Sequence, residues 1–78
     1  MKVDIFLPTL QDVYAFVAVA TDIPDDISVT LCQGRYVVNA KSIMGILSLN
    51  LIERIHLEVE DEPNEKYEDK FKQWIVRE

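Results

Sequence analysis

The chain has one cysteine and one histidine among 78 residues, and this scarcity excludes several classes of protein. The single cysteine, Cys32, cannot form an internal disulfide, so the chain is not a small domain held together by such bridges. A zinc-type site needs more cysteine and histidine than the sequence supplies. We therefore expect no metal and no cofactor, and no catalytic constellation can be assembled from these residues.

Long apolar runs and basic residues are also scarce. No apolar run approaches the roughly 20 residues that cross a bilayer, and the first residues lack the basic and then apolar pattern of a secretory signal. We therefore expect a cytoplasmic protein with no membrane partner. Eight basic residues stand against 14 acidic ones, giving a net charge of −6. Because a phosphate backbone attracts clustered lysine and arginine, we also expect no nucleic-acid partner.

What the chain does contain is typical of one globular domain, residues 1–78. Its composition, 49% hydrophobic and 28% charged, is that of an ordinary folded protein, and its length leaves room for a single core. Alternating apolar and polar residues predict four strands, at residues 3–7, 27–32, 35–38 and 55–59. Gln33 and Gly34 supply the turn of a hairpin between the second and third strands.

Three helices are predicted between and after these strands. The first covers residues 13–20 with Asp12 as N-cap, although its valine and tyrosine content also suits a strand. The second follows Ser42. The third carries an apolar stripe at positions i, i+4, i+7 and i+8, namely Tyr67, Phe71, Trp74 and Ile75, after an acidic loop at residues 61–64. The order β-α-β-β-α-β-α predicts an α+β fold, in which helices cover one face of a four-stranded antiparallel sheet.

Ser42 lies at a junction between polar and apolar residues in the stretch VNAKSIMGILSL, residues 38–49. Serine is a preferred N-cap, where its hydroxyl accepts a hydrogen bond from a nearby amide and contributes about 1 kcal/mol. The unpaired amides at a helix start also tolerate a phosphate, which is the alternative role for this serine. Ile43 and Met44 are adjacent and cannot both point into the core, so we expect some of this apolar set to be exposed for docking.

The same twelve residues resemble the regulatory-serine segment of HPr, the histidine-containing phosphocarrier family of the bacterial sugar phosphotransferase system. The predicted element order also resembles that family's open-faced β-sandwich. The resemblance implies that Ser42 corresponds to a serine phosphorylated by HPr kinase, and that Ile43, Met44 and Leu47 correspond to the apolar patch through which HPr meets its partners. Those partners would be proteins, such as HPr kinase or a transcriptional regulator, and the chain would be a monomer or a weak homo-oligomer.

The family's other signature is a phosphorylatable histidine just before the first helix, followed after one residue by an arginine and then a proline. This chain reads PTLQDVY there. On this resemblance Gln11 occupies the histidine position, and Val13 and Tyr14 occupy those of the arginine and the proline. Glutamine has no nucleophilic ring nitrogen, no cation would hold a phosphate, and Asp12 would repel one. In having glutamine there, the chain is similar to the homologue Crh, which however keeps the arginine.

Two functions are compatible with these features, and neither is an enzyme. The first is an HPr-like protein without histidine phosphocarrier activity, acting as a regulatory or protein-binding module through the Ser42 helix. The second is a divergent HPr fold that serves as a structural or oligomeric assembly subunit, with Ser42 only a helix cap. An active phosphocarrier would need an unorthodox acceptor, because His56 is expected as a solvated imidazole on the open face of the fourth strand. Cys32 is expected to have no base nearby.

Overall fold

The computed structural model describes residues 1–60 and 67–76 of the chain. Within them it forms four strands, two α-helices and a 3₁₀ helix, in the order β1 (Lys2–Ile5), α1 (Leu10–Thr21), β2 (Val29–Gln33), β3 (Tyr36–Asn39), α2 (Ile43–Leu47), β4 (Ile55–Val59) and the C-terminal 3₁₀ helix (Tyr67–Trp74). The predicted order of strands and helices is confirmed. The predicted acidic loop at residues 61–64 lies outside the described residues.

The four strands form one antiparallel sheet in the order β1-β4-β2-β3. Along β4, Ile55, Leu57 and Val59 are buried while His56 is exposed, because successive side chains point to opposite faces of a strand. The helices cover the apolar face, and no element within residues 1–60 and 67–76 covers the other face. The predicted α+β class with an open-faced four-stranded sheet is therefore confirmed.

The hairpin between β2 and β3 turns at Gly34 and Arg35, one residue later than predicted. Gln33 still belongs to β2, where it pairs with Tyr36. Gly34 has φ +59°, and no other described residue has a positive φ. A positive φ at only the first of two turn residues is the type II′ pattern, which suits the twist of a hairpin and favours glycine at that position.

Helix α1 begins at Leu10, earlier than predicted, and its N-cap is Thr9 rather than Asp12. Thr9 has an extended backbone, and its Oγ1 accepts a hydrogen bond from the Asp12 backbone N at 3.1 Å. The Thr9 hydroxyl in turn donates to the Asp12 carboxylate at 2.6 Å. Asp12 is therefore the third helical residue of a capping-box arrangement, which explains why the helix starts one turn before it. The buried face of α1 has helical spacing and consists of Val13, Phe16, Val17 and Ala20.

The predicted C-terminal helix is present as a 3₁₀ helix, and its predicted stripe is largely buried. Tyr67, Phe71 and Trp74 are at most 4% exposed. The ring centroid of Phe16, on α1, lies 5.0 Å from that of Phe71 and 5.4 Å from that of Trp74. Ile75 follows the helix and forms a bridge with Ile5 of β1. The aromatic stripe thus joins the last helix to α1.

None of the helices in the described ranges is both long enough and apolar enough to span a membrane.

Candidate regulatory serine and protein-binding surface

Ser42 is the N-cap of α2 in the structure. Its Oγ accepts a hydrogen bond from the Gly45 backbone N at 3.1 Å, and its backbone N–H donates to the Asn39 carbonyl at 3.0 Å. A Cβ atom on Gly45 would lie 3.2 Å from the Val38 Cβ and 3.3 Å from the Ser42 Oγ. Glycine at this position therefore leaves space beside the serine hydroxyl and lets α2 approach β3 closely.

The lysine next to Ser42 is already paired. The Lys41 ammonium donates to the Ile23 carbonyl at 2.5 Å and to the Asp25 carboxylate at 2.9 Å. This hydrogen bond, together with the charge of Lys41, holds the pKa of Asp25 below its ordinary value. The positive charge closest to Ser42 along the chain therefore has an acidic partner before any phosphate is added.

The apolar residues of and after α2 divide into a buried and an exposed set. Ile46 and Leu49 belong to the core, and Ile43 is partly buried against it. Met44 is 78% exposed and Leu47 is 40% exposed. A five-residue helix has only one face against the sheet, so two of its four large apolar side chains remain in contact with water.

The start of α1 differs from the predicted phosphocarrier site. Gln11 is exposed but lies inside the first turn, so the residue just before the helix is Thr9. The position predicted for Gln11 relative to the helix was therefore wrong, because the capping box moves the helix start towards the N-terminus. Val13 is fully buried, and Tyr14 is exposed. Neither Thr9 nor Gln11 has an imidazole that could accept a phosphate.

A carboxylate is fixed at the N-terminus of α1. Asp12 accepts hydrogen bonds from the Thr9 hydroxyl at 2.6 Å and from the Trp74 indole N–H at 3.3 Å. The bond from Thr9 is the largest of the effects that hold the pKa of Asp12 below its ordinary value. The site that would have to attract a phosphate therefore already carries a negative charge.

Two exposed apolar residues at the same helix start were missed in the sequence. Leu10 is 49% exposed and Tyr14 is 51% exposed, and they lie one turn apart on the side away from the core. Phe6, at 38% exposed, precedes the helix. The signal that could have identified them is their i, i+4 spacing, which is out of phase with the buried positions of α1.

The only histidine lies on the open face of the sheet. His56 pairs with Asp4 of β1 on one side and with Cys32 of β2 on the other. Its Nδ1 lies 2.5 Å from the Asp4 carboxylate. The expectation that Cys32 has no base nearby was wrong, because strand register places His56 directly opposite it, although no hydrogen bond joins the two. No group of three or more potential metal ligands occurs among the residues that the structure describes.

A family model described as PTS HPr component phosphorylation site matches residues 13–76. The match includes Ser42 and all of α2, and it begins after the capping residues of α1. No curated protein and no solved structure matches the chain. HPr proteins are phosphocarriers rather than catalytic enzymes, and they interact with protein partners of the phosphotransferase system. Because the match spans most of the sequence and the fold agrees with it, the chain belongs to the HPr family.

Proposed function

We propose that this HPr-family protein is a regulatory, protein-binding module that does not carry phosphate on histidine. The observation that carries the proposal is the arrangement at α2, where the Ser42 hydroxyl immediately precedes a helix with Met44 and Leu47 exposed. The Ser42 Oγ accepts a hydrogen bond but donates none within the described part of the chain. Its proton is therefore not held by another group and is available for replacement by a phosphoryl group.

The proposed absence of phosphocarrier activity is supported by the positions of the histidine and of the Asp12 carboxylate. The sole histidine, His56, pairs with Asp4 on the open sheet face, whereas α1 lies on the covered face. At the start of α1 the Asp12 carboxylate would repel a phosphorylated donor. We expect enzyme I and phosphoenolpyruvate to leave no acid-labile phosphate on this chain, and detection of such a phosphate would contradict the proposal.

Phosphorylation of Ser42 would act on the exposed apolar surface of α2. A phosphoserine carries nearly two negative charges, and it would stand beside Lys41, for which it would compete with Asp25. The charge would also lie within one helical turn of Met44, so a partner that binds this side chain would meet the phosphate. We propose that HPr kinase or a transcriptional regulator is a partner of this kind, and that the protein acts in the cytoplasm.

The first experiment asks whether Ser42 is a substrate of HPr kinase. After incubation with the kinase and ATP, intact mass should show one added phosphate on the parent and none on Ser42→Ala. Ser48→Ala is the matched control, because Ser48 lies at the other end of α2 and its hydroxyl donates to the Gly45 carbonyl. A parent that stays unmodified would contradict regulation by this kinase.

The second experiment asks whether the serine and the apolar residues form one surface. Binding of a purified candidate regulator should weaken in Ser42→Asp and in Met44→Asp. Ile52→Asp is the matched control, because Ile52 is 80% exposed, close to the 78% of Met44, but lies beyond α2. Equal binding by all four proteins would show that α2 is not the interface.

The rival function, a structural or assembly subunit, is favoured by one observation: the Ser42 Oγ already has a role as helix cap. In that case Ser42→Asp should leave every interaction unchanged, because aspartate caps a helix as well as serine does. Loss of assembly in Met44→Asp together with normal assembly in Ser42→Asp would support this rival over regulation.

A further inference from the structure

The two outer edges of the sheet are protected very differently. At β1, the segment after the 3₁₀ helix pairs with the strand: the Val76 N–H donates to the Asp4 carbonyl at 2.9 Å, and the Phe6 N–H donates to the Trp74 carbonyl at 3.0 Å. At β3, which is the other end of the sheet, nothing in the described ranges pairs with the outer side of the strand. The sheet therefore has one closed edge and one open edge.

Hydrogen-bond alternation identifies the unpaired backbone groups of β3. The Ala40 N–H donates to the Val29 carbonyl at 3.0 Å, so the even-numbered residues bond to β2. Val37 and Asn39 consequently direct their N–H and C=O groups away from β2. The Asn39 carbonyl accepts from the Ser42 N–H. The Val37 N–H, the Val37 C=O and the Asn39 N–H have no partner in the part of the chain that the structure describes.

The side chains of β3 do not protect this edge. Natural proteins blunt an open edge with lysine, proline, a bulge, an inward-pointing charge or a very short strand. Of these devices β3 has only the short length, four residues. β3 reads Tyr-Val-Val-Asn and contains neither a charge nor a proline, and it pairs with β2 without a bulge. Tyr36 is 64% exposed and Val37 is 66% exposed. The strand thus offers both free backbone groups and apolar surface to another strand.

We propose that β3 is a dimerisation edge that pairs antiparallel with β3 of a second copy of this chain, with Val37 opposite Val37 on the two-fold axis. In this register each Val37 N–H donates to the Val37 carbonyl of the other copy. The Asn39 N–H of each copy faces residue 35 of the other. The two four-stranded sheets would join into a single eight-stranded sheet.

Charge supports a second copy as the occupant. Arg35 lies at the turn end of β3, and the opposite end of the strand borders a depression whose lining includes Asp26 and Asn39. Asp25 and Lys41 also line it, but they form an ion pair with each other at 2.9 Å, so Asp26 is the acid left for a second copy. Antiparallel pairing brings Arg35 of one copy towards Asp26 of the other, twice in each dimer. The net charge of −6 opposes association, so we expect a weak dimer that forms as concentration rises. The edge lies outside α2, so this proposal and the proposed function can fail separately.

Sedimentation equilibrium over a dilution series tests the proposal. The parent should approach dimer mass at the highest concentrations. Val37→Lys should weaken dimerisation at least about tenfold, because lysine on an edge strand disfavours pairing. Ile52→Lys makes the same change of charge at an exposed apolar residue away from the edge, and it should dimerise like the parent. A parent that is monomeric throughout, or a dimer that Met44→Lys abolishes and Val37→Lys does not, would overturn the proposal.

Amide hydrogen exchange and a charge swap test the register. The amides of Val37 and Asn39 should become protected as concentration rises, whereas that of Val38, already bonded to β2, should not change. Arg35→Asp and Asp26→Arg should each weaken the dimer, and the double variant should recover most of the loss. Protection of Val37 that does not depend on concentration, or a double variant weaker than either single variant, would refute this arrangement.

Discussion

Replacement of Trp74 by alanine should destabilise the protein strongly. The side chain is 4% exposed, and its ring packs against Phe16 in an edge-on arrangement and against Phe71 with centroids 6.4 Å apart. Its indole N–H donates to Asp12 at 3.3 Å. Trp74 therefore joins the last helix both to the core and to the capping box of α1, and its removal leaves a cavity where these elements meet.

The expected loss in the free energy of unfolding follows from the size of the removed side chain, and its importance follows from the small size of the domain. Truncation of a buried tryptophan to alanine costs about 3–5 kcal/mol. A chain of 78 residues, at roughly 0.05–0.15 kcal/mol per residue, has a total stability of about 4–12 kcal/mol. Loss of 3 kcal/mol would lower Tm by about 12–24 °C. Trp74→Phe keeps most of the apolar contact but loses the bond to Asp12, so it should cost less, about 1–2 kcal/mol.

Urea and thermal unfolding followed by far-UV circular dichroism measure both variants, since the signal does not depend on the tryptophan itself. Tyr36→Ala is the control, because it truncates an aromatic side chain that is 64% exposed and should change stability by no more than about 0.5 kcal/mol. If Trp74→Ala unfolds within a few degrees of the parent, the last helix does not pack on α1 as described, and the reasoning fails.

Three further outcomes test local features. Ser42→Ala should cost about 1 kcal/mol in urea unfolding through loss of the bond to the Gly45 amide, and Ser42→Asp should be nearly neutral; equal stability of all three proteins would contradict the cap. Gly34→Ala should cost about 1–2 kcal/mol because a Cβ is disfavoured at φ +59°, although that Cβ would have no atom within 4 Å beyond its chain neighbours; an unchanged Tm would argue against the type II′ turn. The lowered folded-state pKa of Asp12 contributes stability that is present above its unfolded pKa and is lost as pH falls through the folded value. Below about pH 4, the free energy of unfolding should therefore decrease less steeply with falling pH for Asp12→Asn than for the parent.

The sequence alone determined the elements of the fold, because their signals are local. The alternation of Ile55, Leu57 and Val59 with polar residues predicted β4 and its buried face, and the spacing of Tyr67, Phe71 and Trp74 predicted the buried stripe of the last helix. A strand or a helix has a fixed period, so one buried face leaves its pattern in the residues themselves. The resemblance to HPr around Ser42 rests on twelve consecutive residues, so it could also be recognised from the sequence alone.

Only the tertiary structure decided the features that join residues distant in sequence. Asp12 looked like a cap, but Thr9 takes that role while Asp12 is held in addition by Trp74, which lies 62 residues further along the chain. Cys32 looked isolated, but strand register places it beside His56. The sequence predicted that Ile43 and Met44 could not both be buried, but the choice of Met44 as the exposed one depends on which surfaces the other elements cover. The open edge of β3 depends on the same. The pairing of strands and the burial of surfaces depend on how the whole chain packs. A local sequence pattern contains no information about the distant segment that will lie against it.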